Sequence, residues 1–320
     1  MPLLHMSQKT FLADTKLMAL SSVHSLAFHR GLGTPLFPSS TTPLSKYLGA
    51  SAIEEFSKAA YSKSNFAVVA NGADHGELSK WVGEFFNDVP SSAAALESPQ
   101  SKYFGGEERI AHASGNTMVL GFPGSSSYTG GFYKPEIAVL ASLLGGETSI
   151  KWTAGFSALA KAGATFPGAH ISTKSAIYSD AGLLYVTLNG SAKDVAGAAQ
   201  EAVKSIKAIA SGQIAKEDIK KAIAHAKFQE LEAGQNINTG IELTGAGLVH
   251  GNKAYQLDET AKAIDAVTEE KVKQVSFARP RLGCSLTNKP HRLQRLYSSR
   301  RRPSHLSATC TSCPTLRSSV

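Results

Sequence analysis

Cysteine is almost missing from this chain. It has three in 320 residues, and Cys284, Cys310 and Cys313 all lie beyond residue 278. The body before them holds no disulfide and no Cys-ligated metal. Long apolar runs are missing too. The longest, Ile137–Leu144, falls far short of the roughly 20 residues a membrane helix needs, and it stops at Gly145-Gly146. Met1–Thr10 lacks a charged start followed by an apolar core and is poor in Arg, so it shows neither a secretory signal nor a transit peptide. Acidic residues are absent from 279–320, which carries nine basic side chains, among them the run Arg300-Arg301-Arg302. The net charge of +8 is therefore uneven. Of the 33 basic residues, 24 lie in 1–278 against 25 acidic ones, a net of −1. A charge confined to one end says little about what the body binds.

What remains is an ordinary globular composition, 42% apolar and 18% charged. Leu17, Leu20, His24 and Phe28 recur at spacings of three and four and predict a helix over 13–28. Gly31, Gly33, Pro35, Pro38 and Pro43 then impose a loop. Ser51 with Glu54 reads as a capping box for a helix to Ala60. Phe66–Val69 reads as a buried strand ending at Asn71-Gly72, and His75–Phe86 as a helix with Leu78, Val82 and Phe85 on one face. Residues 91–104, rich in Ser, Ala and Pro, are expected to link a first lobe (1–90) to a second (105–278). The second lobe opens with strands at 109–112 and 117–122 around a turn composition, then a helix from Pro135 to Leu144. Strands at 169–178 and 183–188 flank Ser179-Asp180-Ala181-Gly182, a hairpin signal. Ser191 and Asp194 form a capping box before the stripe Val195, Ala199, Ala202, Ile206 and Ile209. Helices near 219–226, 239–249, 258–266 and 268–275 follow. Strands, then a run of helices, predict an α+β fold with helices on one face of a largely antiparallel sheet. Residues 279–320 are expected to be a disordered basic tail.

No catalytic constellation emerges. Neither His-Glu-x-x-His nor its inversion His-x-x-Glu-His occurs among the ten histidines. His24 and His29 are five apart, about 500° round a helix, so they do not share a face. Asp74-His75-Gly76-Glu77 reads as a helix cap rather than an acid–base pair. Cys310-x-x-Cys313 near His305 is half a metal motif in a Ser-, Thr- and Arg-rich setting. Gly245-Ala246-Gly247 has His250 where a dinucleotide fingerprint wants its third glycine, and it follows a helical stretch rather than a strand. No catalytic, cofactor-binding or metal-ligating residue is assigned, and without interleaved aromatics the arginine run carries no nucleic-acid reading.

Several stretches taken together resemble the family of mitochondrial processing peptidases. They are Ser22–Phe28, Gly33-Thr34-Pro35-Leu36, Asn65–Leu78, and the loop Leu143-Leu144-Gly145-Gly146-Glu147-Thr148-Ser149-Ile150-Lys151-Trp152 with Gly155-Phe156-Ser157. That loop, with Asp180–Leu184, looks most like the second-core-subunit branch of the family, found in the fungal ubiquinol–cytochrome c reductase (respiratory complex III). The resemblance spans roughly 11–275. It implies two similar α+β halves, the first incomplete here. It implies a non-catalytic structural core subunit on the matrix side of the mitochondrial inner membrane, supporting electron transport from ubiquinol to cytochrome c. Such a subunit pairs with the first core subunit and other complex III subunits, holds neither haem nor quinone, and meets the membrane only through partners. The alternative it leaves is a fragment or recognition subunit of a zinc-dependent processing peptidase. Against the family pattern, the early strands of the first half and the closing segment after Ala278 are absent. This predicts a weakly ordered first lobe, an incorrect start, and a misread junction or shifted frame near Ala278.

Overall fold

The hairpin expected around Ser179–Gly182 forms one side of the sheet. In this computed structural model, which describes residues 2–35, 49–63, 65–91, 100–112, 115–146, 155–251, 253–277 and 283–288, β3 (Ala169–Ile177) pairs antiparallel with β4 (Gly182–Gly190). On its other side β4 pairs antiparallel with β2 (Asn116–Pro123). β1 (Glu107–Ala111) does not pair with β2, although the two are close in sequence. Between them lies β5 (Gly283–Asn288), parallel to β1 and antiparallel to β2, and the sheet order is β1-β5-β2-β4-β3. Reading all of 279–320 as a disordered tail therefore fails at these six residues. The physical reason is a vacant ladder: without a strand in this slot, β2 would leave its backbone groups unpaired beneath two layers. The segment Cys284-Ser285-Leu286-Thr287 does alternate apolar and polar, a strand signal hidden among basic neighbours.

One face of the sheet carries the helices predicted for it and a short one, Ala158–Gly163, that the sequence pattern does not predict. They are α5 (Pro135–Leu144), α6 (Ala158–Gly163), α7 (Ala192–Ala210), α8 (Lys216–Gln235), α10 (Leu257–Asp265) and α11 (Glu269–Phe277), with α9 (Ile237–Gly251) packed outside on α8. Met118, Leu120, Leu184, Val186 and Leu188 point into this layer and meet Val139, Leu143, Val195 and Ala202. Ser191 caps α7 by accepting from Asp194 N at 3.2 Å, and the stripe from Val195 to Ile209 faces the sheet, as the sequence pattern predicts.

The opposite face is not bare. The helix predicted over 13–28 breaks at Asp14, which ends α1 (Pro2–Ala13) and caps α2 (Thr15–Phe28) by accepting from Lys16 N at 2.8 Å. Helix α2 crosses the far side of the sheet. Its Ala19, Val23, Ala27 and Phe28 form a second core with Val119 and Leu183. Thr117 Oγ1 donates to Thr15 Oγ1 at 3.0 Å, and Asn189 Nδ2 donates to Thr117 at 2.7 Å. Beyond the predicted helical layer, then, helix α2 covers the other face of the sheet. The cause is the period of two in β2 and β4, where both alternating sets are apolar and both need cover.

Residues 49–91 differ from expectation at two points. Helix α3 (Ala50–Ala60) is entered from Gly49, not Ser51, and Glu54 instead pairs with Lys58 Nζ at 2.7 Å. Phe66–Val69 forms no strand, because no neighbouring strand among the described residues offers it a ladder. Helix α4 (His75–Phe85) is capped by Asp74, which accepts from Glu77 N at 3.0 Å, but it buries no residue. Trp81 and Phe85 stack on each other in the open, 53% and 75% exposed.

Candidate functional site

Three places hold the chemistry-bearing residues. The first is the set of histidines. His24, on α2, places Nδ1 2.7 Å from Leu20 O and Nε2 2.7 Å from the Tyr178 hydroxyl, with Tyr178 and Phe28 packed around the ring. Both ring nitrogens are engaged in fixing α2 to the β3–β4 turn. His29 ends α2 in a left-handed conformation (φ 58°) and lies on Phe104 at 4.5 Å between ring centres. His225 on α8 lies edge-on to Phe156, 5.8 Å away. Among the described residues no three His, Cys, Asp or Glu side chains gather in a way that would hold a metal. His305, Cys310 and Cys313 lie outside the described residues.

The second is the glycine loop. Helix α5 ends at Gly145, whose N–H donates to Ala141 O at 2.7 Å, and Gly146 N then donates to Ser157 Oγ at 3.3 Å. Ser157 in turn caps α6 by accepting from Ala160 N. Gly146 adopts φ 153°, and a Cβ there would come within 2.5 Å of Ile171 O on β3. Only glycine lets the chain pass this close to the strand. Both feet of the loop are therefore fixed against β3 and α6. Glu147–Ala154 lies outside the described residues, so the Ile150-Lys151-Trp152 feature of the resemblance is not placed.

The third, which sequence reasoning missed, is a tyrosine–carboxylate seam. Tyr128 donates to Glu259 on α10, and Lys253 Nζ donates to the same Oε2 at 2.6 Å while lying 4.9 Å above the Tyr128 ring. Tyr255 donates to Glu230 on α8, and the rings of Tyr133 and Tyr255 both stand edge-on to Tyr128. Lys253 foremost, then Tyr128, holds the Glu259 carboxyl below its ordinary range, and Glu259 raises both the Tyr128 phenol and the Lys253 ammonium. Burial, before any charge, pushes the Tyr133 and Tyr255 phenols well above 10.0. Groups so shifted do not exchange protons near neutrality, so the seam is a clasp and not an acid–base site. It fastens the loop before α5 to the helices behind. Gly247 and Gly251 of α9 complete it, since a Cβ at either would meet Thr129 or Lys253 within 3 Å. That gives Gly247, one glycine of the pattern that approached a dinucleotide fingerprint, a packing reason. No local motif marks this seam, because its members are drawn from residues 128–259.

These three places fasten layers together, and comparison with known proteins agrees with that character. A family model described as the peptidase M16 inactive domain matches residues 48–225, more than half of the chain. The chain belongs to the peptidase M16 inactive-domain family. It is 47% identical over 260 residues (81% of this chain, 57% of the relative) to a Neurospora crassa protein named cytochrome b-c1 complex subunit 2, mitochondrial. It is 35% identical to the Cryptococcus neoformans protein of the same name, over 73% of this chain and 53% of that one. A more distant relative, 27% identical over 82% of this chain and 59% of its own length, is a Dictyostelium discoideum protein named mitochondrial-processing peptidase subunit alpha-2. The chain spans a little over half the length of these curated relatives. Among solved structures it superposes on a chain of complex III from Candida albicans with a TM-score of 0.72 at 17% identity, covering 89% of this chain and 70% of that one. A conserved protein from Enterococcus faecalis superposes with a TM-score of 0.65, also at 17% identity, covering 91% and 68%. At that identity these two matches establish the fold, an M16-type α+β fold as the resemblance implied.

Proposed function

We propose that this chain is a non-catalytic structural core subunit of respiratory complex III. The observation that carries this is the 47% identity to the Neurospora subunit 2. It is supported by the inactive-domain family model and by the histidine environments, where ring nitrogens serve packing. Its partners are the first core subunit and the other subunits of the complex. Its compartment is the mitochondrion, on the matrix side of the inner membrane, where it reaches the membrane through those partners. The described residues include no helix long and apolar enough to cross a bilayer. Within the chain, 1–90 corresponds to the end of a first peptidase-like half and 105–278, completed by β5, to the second, joined through 91–104. Helix α2 is the element that binds the two halves, since it lies in one and covers the sheet of the other.

The test is assembly. The tagged chain, expressed in a fungal strain lacking its own subunit 2, is expected to migrate with complex III on native gels and to co-purify with the first core subunit. Migration only as free protein overturns the reading. A second reading, a recognition subunit or fragment of a processing peptidase, draws on the Dictyostelium relative. Co-purification with the peptidase's catalytic subunit, and stimulation of presequence cleavage, would decide for it.

A further inference from the structure

Well-packed interiors leave few spaces larger than a water molecule. The main helical layer has one. A cavity of about 370 Å³ opens between α5, the end of β2, the start of β4, the last turns of α7 and one side of α11. Its inner wall is built by a single stripe on α5 (Ile137, Leu140 and Leu144, at spacings of three and four), facing Leu184 of β4 and Ile209 of α7. Ile137, Leu144 and Leu184 are each 2% exposed or less, so the far end of the space lies within the core itself.

The mouth has a different chemistry. Lys134 stands just before α5 and Lys271 on α11, and both line the opening and are exposed. Neither makes an ion pair with a described residue, so both ammonium groups are open to a ligand. The position of Lys134 is fixed from behind, because its N–H donates to the buried Ser125 Oγ at 2.6 Å. Gln274 adds an amide at the rim, and Glu136 a single carboxylate. Glu136 sits in the first turn of α5, where the helix N-terminus offsets part of its charge. The side chains at the mouth, two ammonium groups against one carboxylate, leave an excess of one positive charge.

An apolar shaft with a cationic mouth suits a molecule with an apolar tail and an anionic head. We propose that this cavity binds a single-chain fatty carboxylate, with the hydrocarbon along the α5 stripe and the carboxylate between Lys134 and Lys271. The volume lies within the roughly 300–1,000 Å³ of small-molecule sites. The tail restores contacts that the wall side chains otherwise lack, and the head receives charge-assisted hydrogen bonds. Binding is read on the isolated chain, so it stands or falls apart from the proposed function.

The test uses the full chain with a dansylated undecanoate probe, displaced by palmitate or by methyl palmitate. Saturable one-to-one binding is expected, with palmitate displacing the probe roughly tenfold more effectively than its ester, as loss of a charge-assisted pair implies. The double variant K134M/K271M should lose that preference while melting at the wild-type temperature. Leu140→Trp, which fills the shaft, should abolish probe binding. If that variant does not fold, the lysine pair alone decides. Absence of saturable binding, equal displacement by acid and ester, or an unchanged preference in the double variant overturns the proposal.

Discussion

Leu183 and Leu184 are neighbours on β4, fully and almost fully buried, and they belong to different cores. Leu183 packs against α2 and Leu184 against the helical layer. Truncating either removes buried methyls. Leu183→Ala and Leu184→Ala are each expected to cost about 2–5 kcal/mol in urea unfolding followed by circular dichroism. Only Leu183→Ala should also speed amide exchange selectively in Thr15–Phe28. Equal acceleration in both variants would mean that α2 is not a separate layer.

The glycine loop offers a backbone test. A side chain at position 146 must take φ 153° and push against Ile171 O. Gly146→Ala is expected to cost at least the roughly 1–3 kcal/mol of such a strained conformation. Gly131, which has open space where a Cβ would go, serves as the control. A Gly146→Ala chain as stable as Gly131→Ala would refute the close approach.

The clasp predicts a pH profile. The lowered Glu259 adds stability that is present above its ordinary value of 4.5 and is lost as pH falls. The raised Tyr128 and Lys253 add stability that is present below about 10 and is lost as pH rises. Since Glu259 is the leading cause of both raised values, Glu259→Gln should flatten both limbs of a plot of melting temperature against pH. A change in the acid limb alone would separate Glu259 from the other two.

Strand β5 predicts a consequence of shortening. A chain ending at Ala278 leaves β2 facing solvent along Thr117–Gly121, the stretch now paired with Gly283–Thr287. Amide exchange there should rise to the level of an edge strand, and the protein should associate through that edge. Unchanged protection would show that β5 is dispensable.

Limited proteolysis should divide the first lobe. Helices α3 and α4 carry exposed Ile53, Phe56, Trp81 and Phe85, whereas α2 is packed on the sheet. Early cuts are expected between residues 49 and 91, with 15–28 retained in the stable core. Survival of 49–91 alongside the core would count against this division.

The sequence was most legible where one short stretch carries its own reasons. The Ser179–Gly182 turn, the Ser191 cap and the Val195–Ile209 stripe are local, and they form as read. Asp74 caps α4 for the same reason. What was not legible depends on partners far along the chain. Phe66–Val69 has the composition of a strand, but a strand exists only with a neighbour. Gly283–Asn288 has a weak pattern in a basic setting, yet β1 and β2 give it two neighbours at once. The far-face position of α2 follows from Val119 and Leu183, residues indistinguishable in sequence from the core residues beside them. The Tyr128–Glu259–Lys253 clasp has no spacing to recognise.

The position of β5 bears on how the chain is made. Its partners Glu107–Ala111 and Thr117–Gly121 leave the ribosome more than 160 residues before it does. During that interval β2 is an open template beside a hydrophobic layer, and α2 has only part of its seat. Completing the sheet thus waits on a slow, long-range pairing. Until then the nascent chain needs shielding, and a pause or frame error ahead of Gly283–Asn288 exposes the middle of the sheet rather than its rim.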